Sequence, residues 1–522
     1  MIFPKKTHLS LLKDTTIPTL RNTTKEFISK LGKSNLSTYN EVLHKKVYPN
    51  GFTLLFQPVT HVASVSCGLY LKKGSVDELE NEAGYFHFVE HMLFKGTKTR
   101  TSKDIVESVE RVGGIINAVT SREYTSYYIS LIRDEMKLAL DILADMIQEP
   151  LFKTSDINLE RSVIIEEIKS YEDSPEDYLY DSYYESYFGN SSIGKNIAGT
   201  IASVNSVNRE RLFRFYKKHY YPSNLILSVS GNTSLKELEP MVETFFLEGF
   251  EKNQISKPDN NNIKTNQLNS AKSKSSINKK LNKPKSKDFL EAKSAVSKGL
   301  LNHSSDVQNS LTSDESIPIT KNFGKILIKR KIEQVNFYLG AEGFARTDGN
   351  TPSLILASNI LGGGMSSRLF QEVREKLGLC YSIQCFPSSY KNIGMTSIFC
   401  ATSPNKTNLA VDVILKEIDK ILKKGFKKDE LEHSRSNLIG SLAMGYEMSE
   451  SRMNNIAIQE IYYGRFFSLL DRIQIFSKID LDTMNEVFRK AFQLERYHIS
   501  AIGDLRNKDF EALPNAISRK VR

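Results

Sequence analysis

The stretch Gly84-Tyr-Phe-His87-Phe-Val-Glu90-His91-Met-Leu-Phe-Lys-Gly96 decides the reading of this chain. Two histidines four residues apart stand one above the other on a helix, so both imidazoles can face a single ion. Glu90 follows His87 by three residues and lies on the same side. The order H-x-x-E-H reverses the H-E-x-x-H pattern. Neutral imidazoles ligate metal, and a carboxylate beside them can take a proton from water. The chemistry expected is therefore metal-assisted hydrolysis of peptide bonds, with Glu90 as general base.

A third carboxylate follows in Ser155-Asp-Ile157-Asn-Leu-Glu160-Arg-Ser-Val-Ile164-Ile-Glu166-Glu167-Ile168-Lys169. This segment predicts a capped helix with Ile157, Ile164 and Ile168 on one stripe. Glu160 and Glu167 are seven residues apart and share another face. A catalytic zinc takes three protein ligands and keeps an open position for water, and two histidines with one glutamate form one such set. Glu167 is the expected third ligand.

With these residues in place the chain resembles the M16 (pitrilysin-like, inverzincin) peptidases, in which a glutamate on a later helix completes a site begun by the reversed box. Here that separation, His91 to Glu167, is 76 residues. The resemblance implies one zinc per chain on His87, His91 and Glu167, with Glu90 catalytic. It also implies that Glu160, seven residues before the ligand, supports the site from behind. Glu166 is then a solvated helix residue. The layout resembles the type with a single pair of repeats, that of bacterial M16B peptidases and of the beta subunit of the mitochondrial processing peptidase.

Two further motifs carry the resemblance. Gly113-Gly-Ile-Ile-Asn117-Ala118-Val-Thr120 looks like the family's G-G-x-x-N-A-x-T strand, which implies that Asn117 and Ala118 bind substrate as an added extended strand. Taken alone, the segment reads as a Gly-Gly turn into an ordinary strand. Downstream, Leu361-Gly-Gly-Gly-Met365 leads to Arg374 and Tyr381. The glycine run lacks the G-x-x-x-x-G-K-[ST] spacing of a phosphate loop. The resemblance implies instead that Arg374 and Tyr381 line a chamber wall opposite the zinc. Arg374 would hold a substrate carbonyl or carboxylate, and Tyr381 would be catalytic, bonding the developing oxyanion. Outside such a motif, a surface arginine and a packed tyrosine are ordinary features.

The 522 residues suffice for several domains. No window approaches the roughly 18 continuous apolar residues of a membrane span. Cys67, Cys380, Cys385 and Cys400 show no C-x-x-C spacing, so reduced thiols and a reducing compartment are expected, cytoplasmic or alternatively the mitochondrial matrix. Residues 1–41 read as an N-terminal extension without the apolar core of a secretory signal. As a transit peptide Met1–Asn40 is poor, with Arg21 as the single arginine and with Asp14 and Glu26 as acids. The net charge of +10 is concentrated in Glu251–Leu300, where twelve lysines meet four acidic residues. Residues 251–322, rich in Lys, Asn and Ser, are expected to be a disordered insertion. Interleaved aromatics and arginines are missing there, so no nucleic-acid partner is expected.

On either side of the insertion the pattern repeats. Strands are expected near Gly51–Gln57, Val62–Leu71, Asn117 and Asn224–Asn232, then near Lys325–Lys331, Gln334–Ala341, Met395–Ala401 and Tyr497–Asp504. A helix is expected over Ser353–Leu361, and the position matching the zinc box, near Ala357–Gly363, has no histidine or glutamate. The fold class expected is α+β. Two homologous halves, 42–250 with metal and 323–510 without, are each an antiparallel-rich sheet with helices on one face, before a tail at 511–522. The resemblance implies that they form half of a clamshell chamber and that a homodimer shares its active sites. The function expected is zinc endopeptidase action on peptides or unfolded polypeptides held in extended form. The alternatives are a non-catalytic, scaffold-like homologue, a processing-peptidase subunit that needs a different partner, or the same ligands around manganese or cobalt.

Overall fold

The computed structural model describes residues 42–189, 191–257, 321–493, 496–506 and 509–510. Contacts divide the chain into one unit, Met1–Lys257 with Ile319–Arg522, and a second, Pro258–Pro318, which falls outside the described residues. The expected extension 1–41, the tail 511–522 and nearly all of the expected insertion lie outside them too. The described edges of that insertion hold ordered chain, since the helix Glu248–Lys252 runs into its first residues.

Six strands make the first sheet: β1 (His44–Val47), β2 (Thr53–Pro58), β3 (Ser64–Leu71), β4 (Ile115–Thr120), β5 (Thr125–Ile132) and β6 (Leu225–Gly231), in the order β1-β2-β6-β3-β5-β4. Five make the second: β7 (Gly324–Lys329), β8 (Val335–Gly343), β9 (Cys380–Ser389), β10 (Gly394–Thr402) and β11 (His498–Gly503), in the order β7-β11-β8-β10-β9. The second order repeats the first, strand for strand, without a counterpart of β1. Each sheet has one parallel pair, β2 with β6 and β7 with β11, and is otherwise antiparallel. Burial follows position. Every residue of the central β6 is buried, whereas edge strand β4 alternates between exposed and half-buried residues because only one of its faces meets protein.

The helices that matter for the site are α1 (Tyr85–Leu93), α2 (Met136–Gln148), α3 (Thr154–Asp173), α4 (Pro175–Phe188), α5 (Arg209–His219), α6 (Thr351–Gly362) and α7 (Ser449–Tyr463). One face of the first sheet places Leu54, Phe56, Val65 and Leu69 against Phe86 and Val89 of α1 and Leu140 and Leu143 of α2. Each such buried side chain contributes about 1.5–3 kcal/mol. The α6 helix carries Leu354, Ala357 and Leu361 into the matching core of the second half.

The other face of each sheet is covered by a helix of the opposite half, an arrangement absent from the expectation of helices on one face. Met453, Ile456 and Ala457 of α7 pack on Leu55, Tyr70 and Ile226 of the first sheet. Reciprocally, Leu179, Tyr183 and Tyr187 of α4 pack on Tyr338, Met395 and Ile502 of the second. A glycine in each of the two equivalent strands, offset by two residues in register, makes room for its crossing. A Cβ on Gly68 of β3 would sit 2.8 Å from Met453 Sδ, and one on Gly340 of β8 would sit 2.5 Å from the Tyr183 hydroxyl. Polar contacts seal the crossings, with Ser228 Oγ donating to the Met453 carbonyl at 2.7 Å and the Tyr183 and Ser397 hydroxyls 2.9 Å apart.

Helix α3 crosses α1 with Ile157, Ile164 and Ile168 buried, as the stripe predicts. Its start differs from the expected cap: Lys153 holds the N-cap position and no side chain caps it. This crossing brings the face carrying Glu160 and Glu167 over the face carrying His87 and His91.

Candidate metal centre

Helix α1 uses Phe86, Val89 and Leu93 to bury itself in the core, which turns His87, Glu90 and His91 outward toward α3 and β4. The Glu78 carboxylate accepts hydrogen bonds from the amides of Gly84 and Phe86, both at 2.8 Å, at the start of α1. It thereby satisfies donors that a helix start leaves unpaired.

The two imidazole rings meet edge to face, 4.7 Å between centroids. Glu167 Oε2 lies 3.7 Å from His87 Nε2 and 3.6 Å from His91 Nε2. The three ligand atoms fall within 4.8 Å of one another. Those separations are too long for hydrogen bonds. They are close to the roughly 3.4 Å expected between two donors that each stand about 2.1 Å from one tetrahedral zinc. A two-histidine, one-carboxylate set with this spacing fits a zinc ion.

His91 Nδ1 is 2.9 Å from Glu160 Oε2, and Lys95 Nζ is 2.6 Å from Glu160 Oε1. A carboxylate behind Nδ1 fixes the tautomer in which Nδ1 carries the proton and Nε2 keeps its lone pair for a metal. Burial of His91 works against its charged form, but the Glu160 bond and nearby carboxylates outweigh it and raise its pKa. Burial likewise opposes the charge on Glu160, and the bonds from His91 and Lys95 reverse that effect and hold its carboxyl below the usual range. Burial pushes His87 down to about 4, with the neighbouring His91 adding to the shift. His87 Nδ1 is buried without a hydrogen-bond partner among the described residues.

Glu90 accepts a hydrogen bond from the Thr120 hydroxyl at the end of β4. Burial raises its pKa in spite of that bond, which moves it toward the range where a carboxylate works well as a base near neutral pH. The remaining oxygen of Glu167, Oε1, accepts from the Tyr171 hydroxyl at 3.0 Å. Glu166 points away and pairs with Lys169 at 2.7 Å.

Asn117 is exposed on the free edge of β4, while Ile116 and Ala118 turn inward against the first core. Arg374 and Tyr381 lie together in the second half: the guanidinium is 5.5 Å from the Tyr381 ring centroid and 4.7 Å from that of Phe370. Arg374 also lines a groove of about 460 Å³ between the Gly362–Gly364 turn and β9. Tyr381 is 74% exposed. Among the described residues no hydrogen bond, ion pair or ring contact joins this pair to the histidines. The structure thus brings His87, Glu90, His91, Glu160 and Glu167 together, with β4 beside them, and leaves Arg374 and Tyr381 as a separate pair.

Thr120, Lys95 and Tyr171 are contacts that the motif reading did not identify. Tyr171 follows its partner Glu167 by one helical turn, whereas Lys95 lies just past the end of α1 and meets Glu160 only through the fold. Thr120 meets Glu90 only through the fold.

Among known proteins, the family model described as Insulinase (Peptidase family M16) matches residues 56–201, and that described as Peptidase M16 inactive domain matches residues 206–438. An uncharacterized zinc protease of Streptomyces coelicolor is 30% identical over 478 residues, covering 91% of this chain and 93% of that protein. The uncharacterized zinc protease YmxG of Bacillus subtilis is 31% identical over 456 residues, 87% of this chain and 96% of its own. A protease of Helicobacter pylori of known structure superposes with a TM-score of 0.74 at 18% identity, over 88% of this chain and 99% of that one, and so shares the fold. The sequence match over nearly the whole of both relatives, with the two matching domain models, places the chain in the M16 peptidase family.

Proposed function

We propose that this protein is a zinc-dependent endopeptidase acting on peptides or unfolded polypeptides bound in extended form. The observation that carries the reading is the meeting of His87 Nε2, His91 Nε2 and Glu167 Oε2 beside Glu90. A scaffold without chemistry does not require a carboxylate such as Glu90 beside this donor set.

Zinc, when bound by His87, His91 and Glu167, supplies Lewis acidity that polarises the scissile carbonyl and acidifies water. Glu90, steadied by Thr120, takes the proton of the attacking water and returns it to the leaving amine. Glu160 holds the His91 ring in place. The free edge of β4 at Asn117 and Ala118 gives an extended peptide main-chain partners, so recognition depends little on side chains. The Tyr381 hydroxyl stabilises the oxyanion and Arg374 orients the peptide, both supplied across a homodimer interface by a second copy of the chain.

The test pairs zinc analysis of the purified protein with cleavage of a quenched-fluorescence peptide library. Stoichiometric zinc with chelator-sensitive cleavage supports the reading. Zinc without cleavage of any library member would leave the chain a metal-binding scaffold.

A further inference from the structure

The two oxygens of Glu167 have different surroundings. Oε2 faces the histidines, 3.7 and 3.6 Å from their Nε2 atoms. Oε1 accepts the Tyr171 hydroxyl at 3.0 Å. Tyr171 follows Glu167 by one turn of α3, so both side chains leave the same face. Tyr171 is 41% exposed and belongs to none of the hydrophobic clusters among the described residues. A phenol in that position adds little packing, and among the described residues its one hydrogen bond is that to Oε1.

The terminal torsion of a glutamate is broad, so an unrestrained carboxylate can turn either one oxygen or both toward an ion. A donor fixed to Oε1 removes that freedom. We infer that Tyr171 is a positioning residue for the metal centre, holding Oε1 so that Glu167 offers Oε2 alone and the adjoining position stays open for water and substrate. This inference rests on the zinc reading above. It completes a pattern in which each of two ligands is held from behind, His91 by Glu160 and Glu167 by Tyr171, while His87 is set by the packing of α1.

Tyr171→Phe removes the hydroxyl and keeps the ring. Zinc affinity is measured by competition with a chromophoric chelator, and the visible absorption of the cobalt(II)-loaded protein reports coordination number. Zinc binding about tenfold weaker than wild type is expected, the lower end of what loss of such a partner costs. The melting temperature of the metal-free protein should be unchanged. Cobalt absorption should weaken as the second carboxylate oxygen joins the ion. Wild-type affinity and an unchanged cobalt spectrum in Tyr171→Phe overturn this inference alone. A folded wild-type protein that takes up no zinc overturns both it and the reading it rests on.

Discussion

Glu160 Oε2 lies 2.9 Å from His91 Nδ1 while its other oxygen takes Lys95 Nζ at 2.6 Å. The carboxylate is only 3% exposed, so its charge is compensated by these two partners. Replacing Glu160 with Gln keeps the shape, removes the charge behind His91 and sets an amide against Lys95. Zinc affinity should fall by about 10- to 100-fold, read by chelator competition. An unchanged dissociation constant would show that the packing of α1 alone orients His91.

Glu90 lies between His87 and His91 on α1 and accepts a hydrogen bond from Thr120. Glu90→Gln leaves His87, His91 and Glu167 intact but, on the proposed mechanism, cannot accept the proton of the attacking water. Zinc content should match wild type, and kcat should drop by roughly 10²- to 10⁴-fold. A variant that retains more than about a tenth of wild-type turnover would remove Glu90 from the role of base.

Spacing made much of the local site legible, because helical periodicity fixes which residues share a face. His87, Glu90 and His91 are neighbours on α1, and Glu160 and Glu167 are neighbours on α3. The repeat was legible as well, since β3 and β6 in the first half and their counterparts β8 and β11 in the second all carry strand signals in the sequence. The contacts that depend on which elements cross were not. Thr120 reaches Glu90 because β4 runs beside α1, and α4 and α7 exchange sheets because Gly68 and Gly340 admit them. Strand β9 gave a weak signal for a physical reason: it is an edge strand that contains Pro387, and a proline removes a ladder donor. Strand β1, His-Lys-Lys-Val, has too little apolar content to announce itself.

The pH response of the metal-free protein should follow its buried histidines. His219, packed 4.5 Å from Phe215 and 5.1 Å from Phe86 between ring centroids, is pushed down to about 3 by burial, with Lys218 and Lys73 adding to the shift. A folded pKa below the unfolded value of 6.5 means that the unfolded chain takes up a proton which the folded chain refuses. The associated stability is present above pH 6.5 and is lost as pH falls from there toward 3. The slope is up to about 1.4 kcal/mol per pH unit. His219→Leu lacks this proton uptake. Between pH 7 and pH 5 wild type should lose up to about 2 kcal/mol more than the variant, as measured by urea unfolding of zinc-stripped protein. Equal losses in the two proteins would show that His219 titrates normally.

That no described hydrogen bond, ion pair or ring contact joins Arg374 and Tyr381 to the histidines within one chain bears on quaternary structure. Tyr381 is 74% exposed, a wasteful setting for an oxyanion donor unless another surface closes over it. A two-fold dimer can set the zinc half of one copy against the Arg374 and Tyr381 wall of the other, and each copy then completes its partner's site. Glu90→Gln and Tyr381→Phe proteins should each be nearly inactive. After subunit exchange, each mixed dimer regains one intact site, formed by Glu90 of the Tyr381→Phe copy and Tyr381 of the Glu90→Gln copy. Random pairing of equal amounts makes half the dimers mixed, so activity should recover to about a quarter of wild type. Native mass spectrometry confirms that exchange has occurred. Background activity in demonstrably mixed dimers would mean that sites are not shared, and that Tyr381 serves, if at all, within its own chain.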